Sequence, residues 1–407
     1  MRVEPTPTAA AGRAAPTAAG WVIVRARYRR RFARWGLVTA GDFLGLPGEV
    51  VSGHADRHAV HVFLGRGRKR LAAFLKREHR VRWRDRLAAA WAGYGWASKS
   101  EREARLLSDL RRAGVPVPRW LAYGEDDHGR AFVLVRAVPR AVDLRAFLHG
   151  DGDRPPTRRR GLARRLGCLL ARVHAAGFDC PDLSSKHVLV RPRRPALVLI
   201  DWQRARRTRR VSWAVRVREL AALHATVADE LASPRERLSC LRSYLRAAVG
   251  RRPTLRCWVE VIDRYATRLL RRGSVRELRR PPLPRRAQWL RWLDGERLVV
   301  TRSFWRTCRG RVPAWLADAA RTPVTQVRQS EGVWRGRQVV LRRFPPHGIL
   351  RRFWNWLRGR HEVAAGPREG GRLFRLERLG IPAPRPLAFG QRPDGGSFIA
   401  YLPNDDR

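Results

Sequence analysis

Residues 181–190 read PDLSSKHVLV, and residues 197–206 read LVLIDWQRAR. Each stretch joins a lone acid to a short apolar run of strand character, with Asp182 shortly before one run and Asp201 directly after the other. A turn next to a strand holds a carboxylate in a fixed direction. Of the two aspartates, Asp182 taken alone could be a turn or capping residue. Together, in a chain of 86 Lys+Arg and only 35 Asp+Glu, they predict a site that handles phosphate and a cation.

Composition sets the frame. The 407 residues suffice for more than one core, and 44% are hydrophobic. The formal net charge of +51 comes almost wholly from arginine, since the lysines are Lys69, Lys76, Lys99 and Lys186. Such a surface attracts phosphates, nucleic acid or anionic lipid headgroups and is sensitive to salt. Cys168, Cys180, Cys240, Cys257 and Cys308 show no C-x-x-C spacing, which argues against zinc and suits a reducing compartment. No uninterrupted apolar run approaches the ~20 residues of a spanning helix, so membrane contact is expected to be peripheral. The N-terminal residues 1–20 lack an apolar signal-peptide core and read as a disordered tail.

Part of the chain occurs twice. GVPVPRWLAYG (114–124) returns as GIPAPRPLAFG (380–390), an offset of 266 that also places Leu75-Lys76 on Leu341-Arg342, Glu103 on Glu369 and Phe132 on Phe398 without a gap. The unit reads as strands, one helix, then strands. HAVHVFLG and RLAAFLKRE are strand candidates with Gly65 and Gly67 in the hairpin between them. In SEREARLLSDLRRAG, Ala104, Leu107 and Leu110 share a helical face that stops at Gly114, and AFVLVRAV is a further strand. From about residue 157 the pattern turns helical. The expectation is an α+β, two-lobed domain over 45–272, with a β-rich lobe before a helical one. A Pro/Arg-rich linker over 273–295 follows, and then a partial second β-rich lobe over 320–407.

Phosphoryl transfer needs a cation on the phosphates, carboxylates to hold Mg²⁺ and an Asp to orient the attacking hydroxyl. These parts occur in kinase order. Lys76 ends a strand, and Glu103 on the next helix is placed to pair with it. Glu101 lies on the same helix, and the repeat match to Glu369 favours Glu103. Asp182 precedes a strand, His187 stands five residues on where protein kinases have a metal-binding Asn, and Asp201 takes the place of the D-F-G aspartate. His187 reads equally as a metal contact or a structural histidine, and Lys186 as a phosphate contact or a solvated charge. His174 and Asp179 read as structural or capping groups. Trp83, Trp91 and Trp96 lie in a basic segment and read as packing residues, with a membrane-interface patch as the alternative; Trp354 and Trp356 recur in the second unit.

The run GFDCPDLSSKHVLV…LVLIDWQRAR resembles the lipopolysaccharide kinase family (Kdo/heptose kinase type), whose pattern is H-x-D-x-x-x-x-H/N followed by I-D-x-x-R-A. GEVVSG (48–53) and the helical stretch RELAALHATVADELASPRERLSCLRSYL are similar to the same family. The resemblance implies a protein-kinase-like fold, ATP and Mg²⁺ as reactants, and a sugar hydroxyl of an anionic, lipopolysaccharide-like glycolipid as acceptor. It assigns Asp182 to the acceptor hydroxyl, Lys76 and Glu103 to the nucleotide, and Asp201 with His187 to the metal. The expected location is the cytoplasm, peripheral to the inner face of the membrane. Cys180 stands where the family usually has His, Pro181 where many kinases have Arg, and no G-x-G-x-x-G loop precedes Lys76. Arg342 replaces the lysine in the second unit, which has no counterpart of Asp182. The competing readings are a catalytically weak kinase-like scaffold, a protein kinase, and a basic nucleic-acid-binding protein. The last rests on charge alone, with no zinc finger, RNP strand or helix-turn-helix signature.

Overall fold

The computed structural model describes residues 20–403, apart from 55–56, 66, 68–69, 151–155, 192–195, 249–253, 281–288, 294–297, 349–363 and 393. Nearly all of the expected tail, and Trp354 and Trp356, lie outside the described residues.

The first lobe contains Trp21–Val24 (β1), Arg29–Ala33 (α1), Ala40–Leu44 (α2), Gly48–His54 (β2), Arg57–Leu64 (β3), Leu71–Glu78 (β4), Trp83–Trp91 (α3), Lys99–Arg112 (α4), Trp120–Glu125 (β5) and Ala131–Arg136 (β6). Alternation in β3 and β4 sends Val60, Val62, Leu64, Leu71, Ala73 and Leu75 to one face. There they meet Phe32, Phe43 and Leu44 from α1 and α2, and Phe43 stacks on Phe132 with ring centroids 4.8 Å apart. Helix α4 covers other strand residues, burying Leu106, Leu107 and Leu110 with Tyr123, Val133 and Val135. Its start is set by Ser98, whose side chain accepts from the Glu101 N–H. The lobe therefore begins at β1, well before residue 45.

The helical lobe follows with Val142–Asp143 (β7), Leu144–His149 (α5), Pro156–Ala175 (α6), Val188–Val190 (β8), Leu197–Leu199 (β9), Trp213–Thr226 (α7), Pro234–Ala247 (α8), Leu255–Leu270 (α9) and Gly273–Arg279 (α10). Tyr244, Trp258 and Trp202 fill its core. Strands β7, β8 and β9 form a three-stranded sheet whose ends carry the two opening aspartates.

Within the expected linker, the described residues include Gly273–Arg279 and Trp289–Leu293 as regular elements. Helix α10 is pinned by Arg279, which makes a 2.5 Å ion pair with Asp229, and Trp289–Leu293 is a strand (β10). Only 281–288 and 294–295 of the proposed linker fall outside the described elements or their single-residue joints. Arg and Pro content misled here because the short apolar run WLRWL at 289–293 pairs on both sides, with β2 and β11, inside an otherwise basic stretch.

Leu298–Thr301 (β11), Arg302–Thr307 (α11), Ala314–Arg321 (α12), Arg328–Trp334 (β12), Arg337–Phe344 (β13), Ala365–Arg378 (α13), Arg385–Gln391 (β14) and Ser397–Leu402 (β15) complete the chain. Their register repeats that of the first lobe. Lys76 pairs with Val133, and Arg342 with Ile399; Gly124 pairs with Phe132, and Gly390 with Phe398. Both sets carry a bulge at matching positions, between Trp120 and Ala122 and between Pro386 and Ala388. Ile23 faces Tyr123 in β1–β5 as Val299 faces Phe389 in β11–β14, so the similar strand pairing begins at β11, before residue 320. Strand β10 pairs with β2 on one side and β11 on the other, which joins both sets into one 12-stranded sheet. Among the described residues, no helix is long and apolar enough to cross a membrane.

Candidate active site

Strand β4 and helix α4 bring the first pair together. Lys76 Nζ lies 2.5 Å from Glu103 Oε1, and the Glu103 side chain is buried. Glu101 instead faces Arg105, at 2.5 Å. Helical geometry explains the split, since residues two apart point about 200° away from each other around the axis. Lys76 Nζ also stands 3.6 Å from Asp201 Oδ1, which links the first lobe to the end of β9.

Asp201 occupies a left-handed backbone conformation, φ 66°. Asp and Asn tolerate that region better than most residues because their short polar side chains bond locally. The bend precedes the buried Trp202, whose indole N–H donates to the Leu199 carbonyl at 3.1 Å. It turns the carboxylate back towards Lys76 and towards His187 Nε2, 3.3 Å from Oδ2.

His187 Nδ1 lies 2.6 Å from the backbone carbonyl oxygen of Asp182. A carbonyl only accepts, so Nδ1 carries the proton. Burial holds the imidazole below its usual 6.5, although Asp201 and the Asp182 carbonyl pull the other way. The neutral ring therefore directs the Nε2 lone pair at a carboxylate oxygen. Two acceptors facing each other favour a cation between them. A nitrogen and a carboxylate suit a divalent ion whose remaining ligands are water and substrate phosphates, the usual manner in which Mg²⁺ is held. Among the described residues no cluster of three or more His, Cys, Asp or Glu forms a self-sufficient metal cage.

Asp182 sits in the turn before β8. One oxygen accepts from Arg204 Nη1 at 2.9 Å, and the side chain retains 23% exposure, so a substrate can reach it. Arg204, two residues after Trp202, was not singled out from the sequence. Its only signal was its place in the IDWQRA run. Lys186 is exposed.

The turn is fixed from behind. Glu219 on α7 accepts the Cys180 backbone N–H at 2.8 Å and lies 2.9 Å from His174 Nε2, while His174 Nδ1 is 2.8 Å from the Tyr244 hydroxyl. His174 is thus a buried structural group. Asp179 accepts the Arg206 N–H, tying the Asp182 turn to the segment after Asp201. Burial raises the Asp179 carboxyl, and that hydrogen bond opposes the rise. The Ser185 N–H donates to Thr226 Oγ1 at 3.0 Å, and its hydroxyl to the Thr226 carbonyl at 2.9 Å. Gly177, at φ 81°, enters this turn where a Cβ would strike the Thr208 carbonyl oxygen. The Glu219 support was invisible in the sequence because its partners are a backbone amide and a distant histidine.

The second β-set reproduces the first ion pair with a different cation. Arg342 Nη1 lies 2.9 Å from Glu369 Oε1.

Residues 53–244 match the family described as lipopolysaccharide kinase (Kdo/WaaP). This segment is of the lipopolysaccharide kinase family. The lipopolysaccharide core heptose(I) kinase WaaP of Pseudomonas aeruginosa is 29% identical over 159 residues, which are 36% of this chain and 59% of that protein. The 3-deoxy-D-manno-octulosonic acid kinase of Vibrio cholerae is 34% identical over 100 residues, 24% of this chain and 40% of that protein. The chain thus spans 59% and 40% of the lengths of these curated relatives. A solved structure of WaaP in complex with acyl carrier protein aligns with a TM-score of 0.46 at 22% identity, covering 61% of this chain and 98% of that one.

The departure at Cys180 has a physical reading within the lipopolysaccharide kinase segment. The thiol is 3% exposed, and burial pushes its ionisation well above the usual range, so it behaves as a small apolar group. Its contribution to the turn is the backbone N–H held by Glu219, which any residue except proline supplies. All five cysteines are free thiols.

Proposed function

We propose that the chain is a kinase that transfers phosphate from ATP to a sugar hydroxyl of an anionic, lipopolysaccharide-like glycolipid. The observation that carries the reading is the convergence of Lys76, Glu103, Asp201 and His187 on one point between the lobes. Lys76, steadied by Glu103, pairs with the nucleotide phosphates. Asp201 and His187 hold Mg²⁺, which when bound neutralises charge developing on the transferring phosphoryl group. Asp182 orients the acceptor hydroxyl through the oxygen not engaged by Arg204 and takes its proton. Glu219 and Ser185 keep the Asp182 turn from drifting, which matters because positioning supplies much of the rate in this chemistry.

The kinase unit in this reading runs from β1 to α10, and the second β-set supports it without its own turnover. Arg342 keeps a positive charge but presents a broad planar fork instead of a compact ammonium. The enzyme works in the cytoplasm at the inner membrane face, where its basic surface gathers anionic acceptors. The test is to incubate the protein with labelled ATP and extracted glycolipid, protein or nucleic acid in parallel. Label confined to the glycolipid is expected. Label in protein alone would replace the reading with a protein kinase.

A further inference from the structure

We infer that α3 is a membrane-docking element that lays its outer face into an anionic lipid surface. The inference rests on the proposed membrane-borne acceptor for its purpose, but not for its geometry. At about 100° per residue, Ala90, Trp83, Leu87, Trp91, Arg84 and Ala88 fall on one continuous arc of about 160°. All six are exposed, whereas Ala89 on the opposite side is buried. Trp91 is 93% exposed and Trp83 49%, and Trp96 just beyond the helix is 58% exposed. This corrects the reading of these tryptophans as packing residues.

The face is rigidly presented. Asp85 makes a 2.9 Å ion pair with Lys99, and Arg86 binds both Glu125 and the Trp96 carbonyl. The only acid of α3 is therefore already neutralised, and the outward arc offers the lipid no carboxylate to repel. Arg84 lies with its guanidinium 5.2 Å from the centre of the Trp83 ring, an aromatic and a cation side by side on the same face. A bilayer interface suits this combination: indole and leucine enter the headgroup and upper acyl region while guanidinium meets lipid phosphate. A convex helical face with a cationic edge also needs no groove in its partner. Helix α3 connects the strand of Lys76 to the helix of Glu103, so docking there would seat the first lobe directly on the surface that bears the acceptor.

The experiment uses the full chain with phosphatidylcholine vesicles, with and without phosphatidylglycerol, measured by co-sedimentation. A Trp83→Ser/Trp91→Ser variant should lose at least about ten-fold in affinity for the anionic vesicles, given the apolar area each indole withdraws from water. Its thermal unfolding should stay close to the parent's, because Trp91 is 93% exposed and Trp83 49%. Quenching of tryptophan fluorescence by brominated lipid should fall with it. Arg84→Glu should weaken binding at low salt and lose that effect at high salt. Unchanged vesicle binding in the double variant would overturn the proposal. So would loss of self-association or of protein binding with vesicle affinity intact. Phosphorylation of a deacylated, water-soluble acceptor is measured separately. Its absence in the parent protein would count against the kinase reading and leave the docking result standing.

Discussion

Asp182→Asn separates chemistry from folding. The substitution keeps the shape of the side chain and removes its charge. Three structural facts limit its effect on stability. The side chain is 23% exposed, its partner Arg204 is 70% exposed, and the hydrogen bond from His187 goes to the Asp182 backbone, which is untouched. An ion pair that open to solvent contributes about 0–1 kcal/mol, and an asparagine oxygen still accepts from Arg204. The expected loss of stability is below about 1 kcal/mol, a shift of a few degrees at most in a chain of this size. Nucleotide affinity should also hold, because Lys76, Glu103 and Asp201 are not disturbed. Turnover should fall by about 10²–10⁴, or roughly 3–5 kcal/mol of barrier, because the amide cannot take the hydroxyl proton. The assay is initial-rate phosphate transfer to glycolipid, paired with calorimetric ATP titration and thermal unfolding of the same preparation. Full activity in Asp182→Asn would refute the assignment. A variant that loses ATP binding and turnover together would show instead that Asp182 organises the nucleotide site.

Asp201→Asn, which retains tolerance of the left-handed backbone, should fold normally and lose Mg²⁺-dependent nucleotide binding, read by titrating ATP with and without the metal. Arg342→Ala in the second β-set should leave turnover within about two-fold, since its ion pair is partly exposed and is made to Glu369 of that set rather than to the Asp182 turn or Asp201. His58 gives a pH prediction. Arg77 Nη1 donates to its Nε2 at 3.0 Å, and its Nδ1 faces His79 Nε2 at 2.8 Å. Burial first, then His79 and Arg77, hold it well below its usual 6.5. The unfolded chain therefore binds a proton that the folded chain refuses, and this contribution to stability is present above pH 6.5 and lost as pH falls towards the folded value. Urea midpoints should decline from pH 7 to pH 5, and His58→Gln should flatten that decline; parallel slopes in the two proteins would exclude it.

Much of the site was readable because its residues depend on local pattern. Strand alternation placed Lys76 beside a core, and the repeat singled out Glu103 where two glutamates lay on one helix. Short apolar runs marked the strand ends that carry Asp182 and Asp201. What could not be read depends on contacts far apart in sequence. Glu219 reaches back to the Cys180 amide, Arg102 donates to the Ala205 carbonyl at 2.6 Å, and α2 stacks Phe43 on Phe132. None of these pairs has a periodic signature. The β1 to β11 correspondence was also hidden, because strands are specified by alternation and pairing rather than by residue identity, and WVIV shares little with LVVT beyond its apolar character.

The contrast between α3 and α4 shows where periodicity stops being informative. Helix α4 carries Ala104, Leu107 and Leu110 on one face, and all three are buried. Helix α3 carries Trp83, Leu87 and Trp91 at the same kind of spacing, and all three are exposed. An apolar stripe says only that something apolar should cover it. For α4 the cover is strand residues Tyr123, Val133 and Val135 of the same lobe. For α3 the lobe uses the other side of the helix, where Ala89 is small enough for close approach, and ties it down by ion pairs to Lys99 and Glu125. Polar anchors on the inner side and aromatic residues on the outer side invert the usual order of a surface helix. That inversion is stable in water only at some cost in exposed apolar area, and a partner that removes the area from water explains why it is kept.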